Sequence, residues 1–155
     1  MPDQASETSP ARGQLARNLV ALRAQGNWST RALAEQAHVD RRMIQRLERG
    51  ELNVSLGTVD KLARALGVST GSLLGARPVA RQEADNLIEA LLAQNLVAAR
   101  GRLMLTQEML SQRSGVSRPV IARIERQARN PSLQTLERLA ASLALSMATL
   151  LTSSN

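Results

Sequence analysis

A shift of 77 positions lays residues 15–74 over residues 92–151 without a gap, and 24 of those 60 pairs are identical. They include Asn18/Asn95, Arg23/Arg100, Leu33/Leu110, Val39/Val116, Arg41/Arg118, Ile44/Ile121, Arg46/Arg123, Glu48/Glu125, Arg49/Arg126, Asn53/Asn130, Ser55/Ser132 and Leu56/Leu133. A repeat this long, with apolar positions matched in phase, marks a duplicated domain. Solenoid units run only about 20–50 residues. The chain is therefore expected to hold two small domains. Units of roughly 60 residues fold alone only marginally, and usually as compact helical bundles. Aromatic residues make up 1% of the chain, and Leu and Ala fill the apolar positions. That suits helices and not strands, so the expected fold class is all-α.

The net charge of +7 falls on both copies. Residues 12–75 and residues 90–155 each carry +5, while the tail 1–11 carries −2 and the joint 76–89 carries −1. Every basic residue except Lys61 is arginine. Arginine forks match phosphate oxygens and guanine edges better than ammonium groups do. With a pI near 11.6, this is the electrostatic footprint of a nucleic-acid binder. There is no Cys, hence no disulfide framework or thiolate metal site. One His, His38, makes no convincing zinc site with carboxylates. No run approaches the ~18 apolar residues of a membrane span, and the N-terminus lacks a charged-then-apolar signal layout. The sequence reads as a cytoplasmic protein with no membrane association. No nucleophile–base pair, phosphate loop or carboxylate pair is found, so neither an enzyme nor a cofactor is expected.

Residues 1–10 are polar, contain Pro and Ser, and are expected to be disordered. The first domain is expected over 11–75. Its helices are predicted at Ala11–Gln25, Thr30–Gln36 after an N-cap at Ser29, and Arg41–Arg49 after an N-cap at Asp40. A fourth helix starts at Ser55 and closes at Gly67, and a short last one runs from Ser69 to near Leu74. The second domain, 91–155, repeats this. Thr106, Ser117 and Ser132 open its helices, with Pro119 in a first turn where a missing N–H is harmless. The joint, 76–90, is predicted to be helical. Ala84, Leu87, Ile88, Leu91, Leu92, Leu96 and Ala99 have helical spacing, giving one helix over Arg81–Arg100 about 30 Å long. Its apolar first half either packs on copy one or forms a dimer face.

In each copy a short helix, a turn and a second helix with a charged outer face sit mid-bundle. The stretch Leu105-Thr-Gln-Glu-Met-Leu-Ser-Gln-Arg-Ser-Gly-Val-Ser-Arg-Pro-Val-Ile-Ala-Arg-Ile-Glu-Arg, continuing through Asn130-Pro-Ser-Leu-Gln-Thr-Leu-Glu-Arg-Leu-Ala, resembles the lambda-repressor-like (Cro/XRE) helix-turn-helix family. Copy one matches at Trp28-Ser29, Leu33-Ala34-Glu35, Val39, Ile44, Arg46–Gly50, Asn53, Ser55-Leu56 and Leu62-Ala63.

The resemblance implies a bacterial transcriptional regulator, expected to be a repressor, that binds double-stranded DNA. The second helix of such a motif lies in the major groove with its N-terminal residues at base edges. In copy one this helix presents Arg41, Arg42, Gln45 and Arg46. In copy two it presents Arg118, Pro119 and Arg123, just after Ser117. Arginine at such sites favours guanine. Phosphate contacts are implied for Gln107, for Thr30 in the equivalent place, and for Asn53 and Asn130; Arg49 and Arg126 are placed to reach either phosphates or nothing. The family's pairing of helix one with helix three implies ion pairs Arg23/Glu48 and Arg100/Glu125 that set the recognition-helix angle. His38 replaces a turn glycine kept at Gly115, and copy two loses glycine at Gln127 and Ala144. Trp28 is expected to be a core plug.

Two arrangements on DNA are open. A homodimer through residues 81–92 is preferred, because a rigid joint helix spaces the copies widely and closed dimers are common. The other is a single chain acting as a built-in dimer on two unlike half-sites. A protein-interaction or antitoxin-type subunit is the alternative function. No small-molecule effector is implied.

Overall fold

The computed structural model describes residues 9–81 and 87–153. The described residues form two five-helix units. The first comprises α1 (Pro10–Gln25), α2 (Thr30–Ala37), α3 (Arg41–Glu48), α4 (Leu56–Leu66) and α5 (Thr70–Leu73). The second comprises α6 (Ile88–Arg102), α7 (Gln107–Ser114), α8 (Arg118–Glu125), α9 (Leu133–Ser142) and α10 (Met147–Leu150). From α2 and α7 onward, every helix of the second unit starts 77 positions after its counterpart. Tail residues 1–8 lie outside the described residues, and Ser9 and Pro10, expected in the tail, already cap and begin α1.

Helices of eight residues are not stable alone in water. Their ends are therefore fixed by caps and turns. Ser29, Asp40, Ser55, Ser69, Thr106, Ser132 and Ser146 each accept a hydrogen bond from a backbone N–H in the first turn that follows. Four left-handed turn positions recur at the same places in both copies: Asn27/Met104, His38/Gly115, Gly50/Gln127 and Gly67/Ala144. His38 takes up the left-handed conformation at φ 54°, as its place in the repeat implies. Copy two must hold Gln127 at φ 58° and Ala144 at φ 54°, where a side chain costs roughly 1 kcal/mol. Gln127→Gly and Ala144→Gly are each expected to stabilise the chain by about 0.5–1 kcal/mol. In urea denaturation the midpoint should rise at constant slope; a lower midpoint would refute the strain argument.

The two units are not beads on a rod. Their buried side chains form one continuous core that includes Leu33, Ile44, Leu56 and Leu73 together with Leu110, Ile121, Leu133 and Leu150. Helix α1 packs on α9, α4 on α6, and α5 on α10. Each pairing maps onto itself or another when the copies are exchanged, so the units are related by a pseudo-two-fold axis.

At the axis Ser55 and Ser132 face each other in a single antiparallel bridge. The Leu56 N–H donates to the Pro131 carbonyl at 2.8 Å, and the Leu133 N–H donates to the Val54 carbonyl at 2.7 Å. Further out, Glu137 accepts the Ala11 N–H at 3.1 Å at the start of α1. Its counterpart Asp60 takes Arg81 at 3.3 Å on the way to α6. Burial pushes the Asp60 carboxyl up, but the Thr70 hydroxyl bond and the neighbouring Arg64 and Arg81 outweigh it and hold the pKa below the ordinary value.

The joint departs from expectation. The predicted helix over Arg81–Arg100 is shortened, because α6 begins at Ile88 and Leu87 before it has extended backbone. Ala84 lies outside the described residues. Around Ala80 the chain runs as an extended segment against Val68. The physical reason is backbone satisfaction at the α4–α5 corner. The Ser69 N–H donates to the Val79 carbonyl, and the Arg81 N–H donates to the Gly67 carbonyl, both at 2.9 Å. Ile88, Leu91 and Leu92, expected either to pack on copy one or to supply a dimer face, are buried in the shared core, where α6 packs on α4 of copy one. The physical basis for a homodimer through residues 81–92 is thereby removed for these three.

Candidate nucleic-acid interface

Helix α3 follows from its sequence. Asp40 Oδ1 accepts from the N–H groups of Arg42 at 2.7 Å and Met43 at 3.3 Å and so starts the helix. Ile44 and Leu47 are buried and tie one face to the core. The opposite face carries Arg41, Arg42 and Arg46, all exposed, with Gln45 half-buried beside them. In α8, Ile121 and Ile124 are the buried pair, and Arg118, Pro119 and Arg123 are exposed. The expected base-reading residues thus share one outward face in each copy. The helix preceding each, α2 or α7, packs against it in the manner of a helix-turn-helix.

Each of these helices is braced from behind. Arg23 Nε donates to Glu48 Oε1 at 2.6 Å and its Nη2 to Oε2 at 3.1 Å, while Nη1 reaches the Trp28 carbonyl at 3.0 Å. Arg100 repeats the pattern on Glu125 at 2.8 and 3.2 Å and on the Leu105 carbonyl at 2.8 Å. Two-pronged ion pairs of this kind fix geometry as well as charge. They lock the first helix of each copy to the recognition helix and to the turn before the motif. Trp28 lies half-buried against the core, as the plug reading requires.

The expected phosphate contacts are distributed less simply. Thr30 is half-buried at the first position of α2. Gln107 occupies the same position of α7, but its Nε2 donates to Glu125 Oε2 at 2.7 Å, so it belongs to the Arg100 brace. Arg49 is exposed and pairs with Glu51 at 2.7 Å. Ser117 is exposed and, unlike Asp40, bonds no N–H of its helix. Pro119 removes the second-position N–H, the one that Asp40 holds at 2.7 Å in copy one.

Asn53 and Asn130 have a task that the sequence did not suggest. Asn130 Oδ1 accepts the Gly57 N–H at 2.9 Å, and Asn53 Oδ1 accepts the Gln134 N–H at 3.0 Å. Each asparagine therefore caps the fourth helix of the opposite copy. Expected as backbone contacts to DNA, they spend their side-chain oxygens across the pseudo-two-fold axis. Glu51, bound to Arg46 at 3.4 Å and to Arg49, is a further residue missed by motif reading. Its signal was available in the repeat, where it stands opposite Ala128.

Among the described residues no group of three or more His, Cys, Asp or Glu is placed to hold a metal ion. No described helix is long and apolar enough to cross a membrane.

A family model described as Helix-turn-helix matches this chain twice, over residues 19–73 and 96–150. A protein named "Neisseria hypothetical transcription factor", from Neisseria meningitidis serogroup B, is 34% identical over 74 residues, which span 48% of this chain and 70% of the relative. An "Uncharacterized HTH-type transcriptional regulator" from Haemophilus influenzae is 39% identical over 59 residues, 38% of this chain and 60% of that protein. A crystal structure of the hypothetical transcription factor NHTF from Neisseria aligns with a TM-score of 0.43 and 28% identity, over 48% of this chain and 85% of that one.

Proposed function

From the premise that the chain belongs to the helix-turn-helix family of the Cro/C1 type, a DNA-binding transcriptional regulator, we propose that one chain reads duplex DNA as a built-in dimer. The observation that carries this is the pseudo-two-fold pairing of the copies through Ser55/Ser132 and the reciprocal Asn53 and Asn130 caps. A two-fold axis places symmetry mates at equal height along it, so α3 and α8 are level with each other, as two helices that meet one duplex must be. A flat duplex face can then meet both, as in dimers that read half-sites about 34 Å apart.

Arg41, Arg42, Gln45 and Arg46 read one half-site, and Arg118, Pro119 and Arg123 read the other. Thr30, Ser117 and Arg49 approach phosphates. Because Arg42 is replaced by Pro119 in the second copy, the site is two unlike half-sites and not a palindrome. Occupancy of such a site excludes other proteins from it, which is the repressor reading. The Arg-rich outer faces of both recognition helices support DNA over a protein partner for either copy.

Selection from random duplexes, with light scattering on the free and bound protein, tests this. The expected result is an asymmetric site bound by one chain. Arg42→Ala and Arg123→Ala should each cost about 1–3 kcal/mol on the selected site and relax one guanine preference. Affinity should fall steeply with salt as counterions are released. Equal losses on selected and random DNA would reduce these arginines to backbone contacts, and a two-chain complex on a palindrome would overturn the built-in dimer.

A further inference from the structure

The two recognition units are symmetric in backbone and unequal in charge. Residues 28–53 carry five basic and four acidic side chains, whereas residues 105–130 carry five basic and two acidic ones. Glu35, Asp40 and Glu51 stand opposite Gln112, Ser117 and Ala128, and Glu108 stands opposite Arg31; the Asp40 and Glu51 positions are the ones that touch the recognition helix. Glu51 forms ion pairs with both Arg46 and Arg49, while its counterpart is Ala128. No ion pair holds Arg123 or Arg126 among the described residues. At the start of the helix, the Asp40 carboxylate covers the first N–H groups of α3. Its counterpart Ser117 is neutral, and its hydroxyl bonds no N–H of α8.

We propose that the copies divide the work of recognition, and that Glu51 is the residue that sets the division. This rests on the reading of the chain as a sequence-specific DNA binder. Copy two is the anchor: Arg118, Arg123 and Arg126 meet the duplex without first giving up a carboxylate. Copy one is the conditional half. For Arg46 to reach a base edge or Arg49 a phosphate, each must leave Glu51, and that carboxylate must then stay close to a polyanion. Exposed ion pairs are individually weak. Two of them on neighbouring arginines, together with repulsion between Glu51 and phosphate, are enough to rank the half-sites. The consequence is a binding surface that tolerates change in one half-site less than in the other.

The test uses the full chain and three labelled duplexes followed by fluorescence anisotropy: the selected site, and the same site with either half scrambled. The half-sites are assigned by which one ceases to matter in Arg42→Ala and in Arg123→Ala. For the unaltered chain, scrambling the α8 half should cost more affinity than scrambling the α3 half. Glu51→Gln should tighten binding to the selected site by about three- to tenfold, and likewise to the duplex that keeps only the α3 half. It should leave the duplex that keeps only the α8 half within about twofold. Ala128→Glu should do the converse, weakening the α8 half. Equal costs for the two scrambled sites would overturn the division. So would a Glu51→Gln effect of the same size on all three duplexes, which is a general charge effect. If the selected site is bound specifically and neither variant shifts it, the division fails and the DNA-reading function stands. If no duplex is preferred over random sequence, both fall together.

Discussion

Leu133→Ala is expected to lower the stability of the whole chain by about 2–5 kcal/mol, the range for deleting a fully buried leucine side chain. The loss should appear in one unfolding transition. Leu133 is 0% exposed and opens α9, one residue from the pseudo-two-fold axis. Its N–H bonds Val54 of the other copy, and its side chain belongs to a core that runs through both units. A small two-state protein unfolds as one piece when its core is one piece. Urea melts followed by circular dichroism, with calorimetry beside them, give the readout. Two separated transitions, of which only one moves, would show that the copies fold independently and that their contact contributes little.

The second large effect belongs to Arg100. Removing it leaves the Glu125 carboxylate, whose side chain is only 8% exposed, without its two-pronged partner. Breaking a buried pair by deleting one member costs several kcal/mol because a charge is stranded. Arg100 keeps 21% of its side chain in solvent, so Arg100→Ala is expected to cost a reduced amount, about 2–3 kcal/mol. Gln107 remains as a donor to Glu125 and softens the loss. Arg100→Lys should fall between, since an ammonium cannot make the fork and also reach the Leu105 carbonyl with the same geometry. Arg126→Ala, which removes an exposed arginine of the same unit, should stay within about 0.5 kcal/mol. Arg100→Lys matching the unaltered chain, or Arg100→Ala matching Arg126→Ala, would deny the brace its structural role.

What was legible in advance follows from the physics of each signal. Ser29, Asp40, Ser55 and Thr106 are short polar residues before apolar runs, and caps act within a few residues, so the helix starts could be placed. The 25-residue spacing of Arg23/Glu48 recurs as Arg100/Glu125, and the resemblance explained it before any geometry was known. The inter-copy pairing was hidden for the opposite reason. Asn53 and Asn130 look like loop residues next to a helix start, and nothing local says that the helix they cap is the other copy's. Periodicity shows that Ile88, Leu91 and Leu92 share an apolar face; it does not show what covers that face. The joint was misjudged because a helical apolar spacing carries no information about the Val79 carbonyl and Arg81 N–H, which the α4–α5 corner claims for itself. Among the proposed DNA contacts, exposure of Arg41, Arg42, Arg118 and Arg123 follows from the buried partners on the same helices. The diversion of Gln107 to Glu125 depends on a third helix and has no trace in its own neighbourhood.

The shared core has a consequence for dosage. Two separate protomers must first find one another, and at a few copies per cell most of them would be apart, so site occupancy would rise with the square of protein amount. On the proposal that one chain reads its site as a built-in dimer, the partner arrives on the same polypeptide, and its effective concentration does not change as the pool is diluted. Occupancy of a site by such a chain rises in simple proportion at low abundance and saturates hyperbolically. A genetic circuit built on it responds in graded fashion, without a threshold, and keeps working when only a handful of molecules are left after cell division.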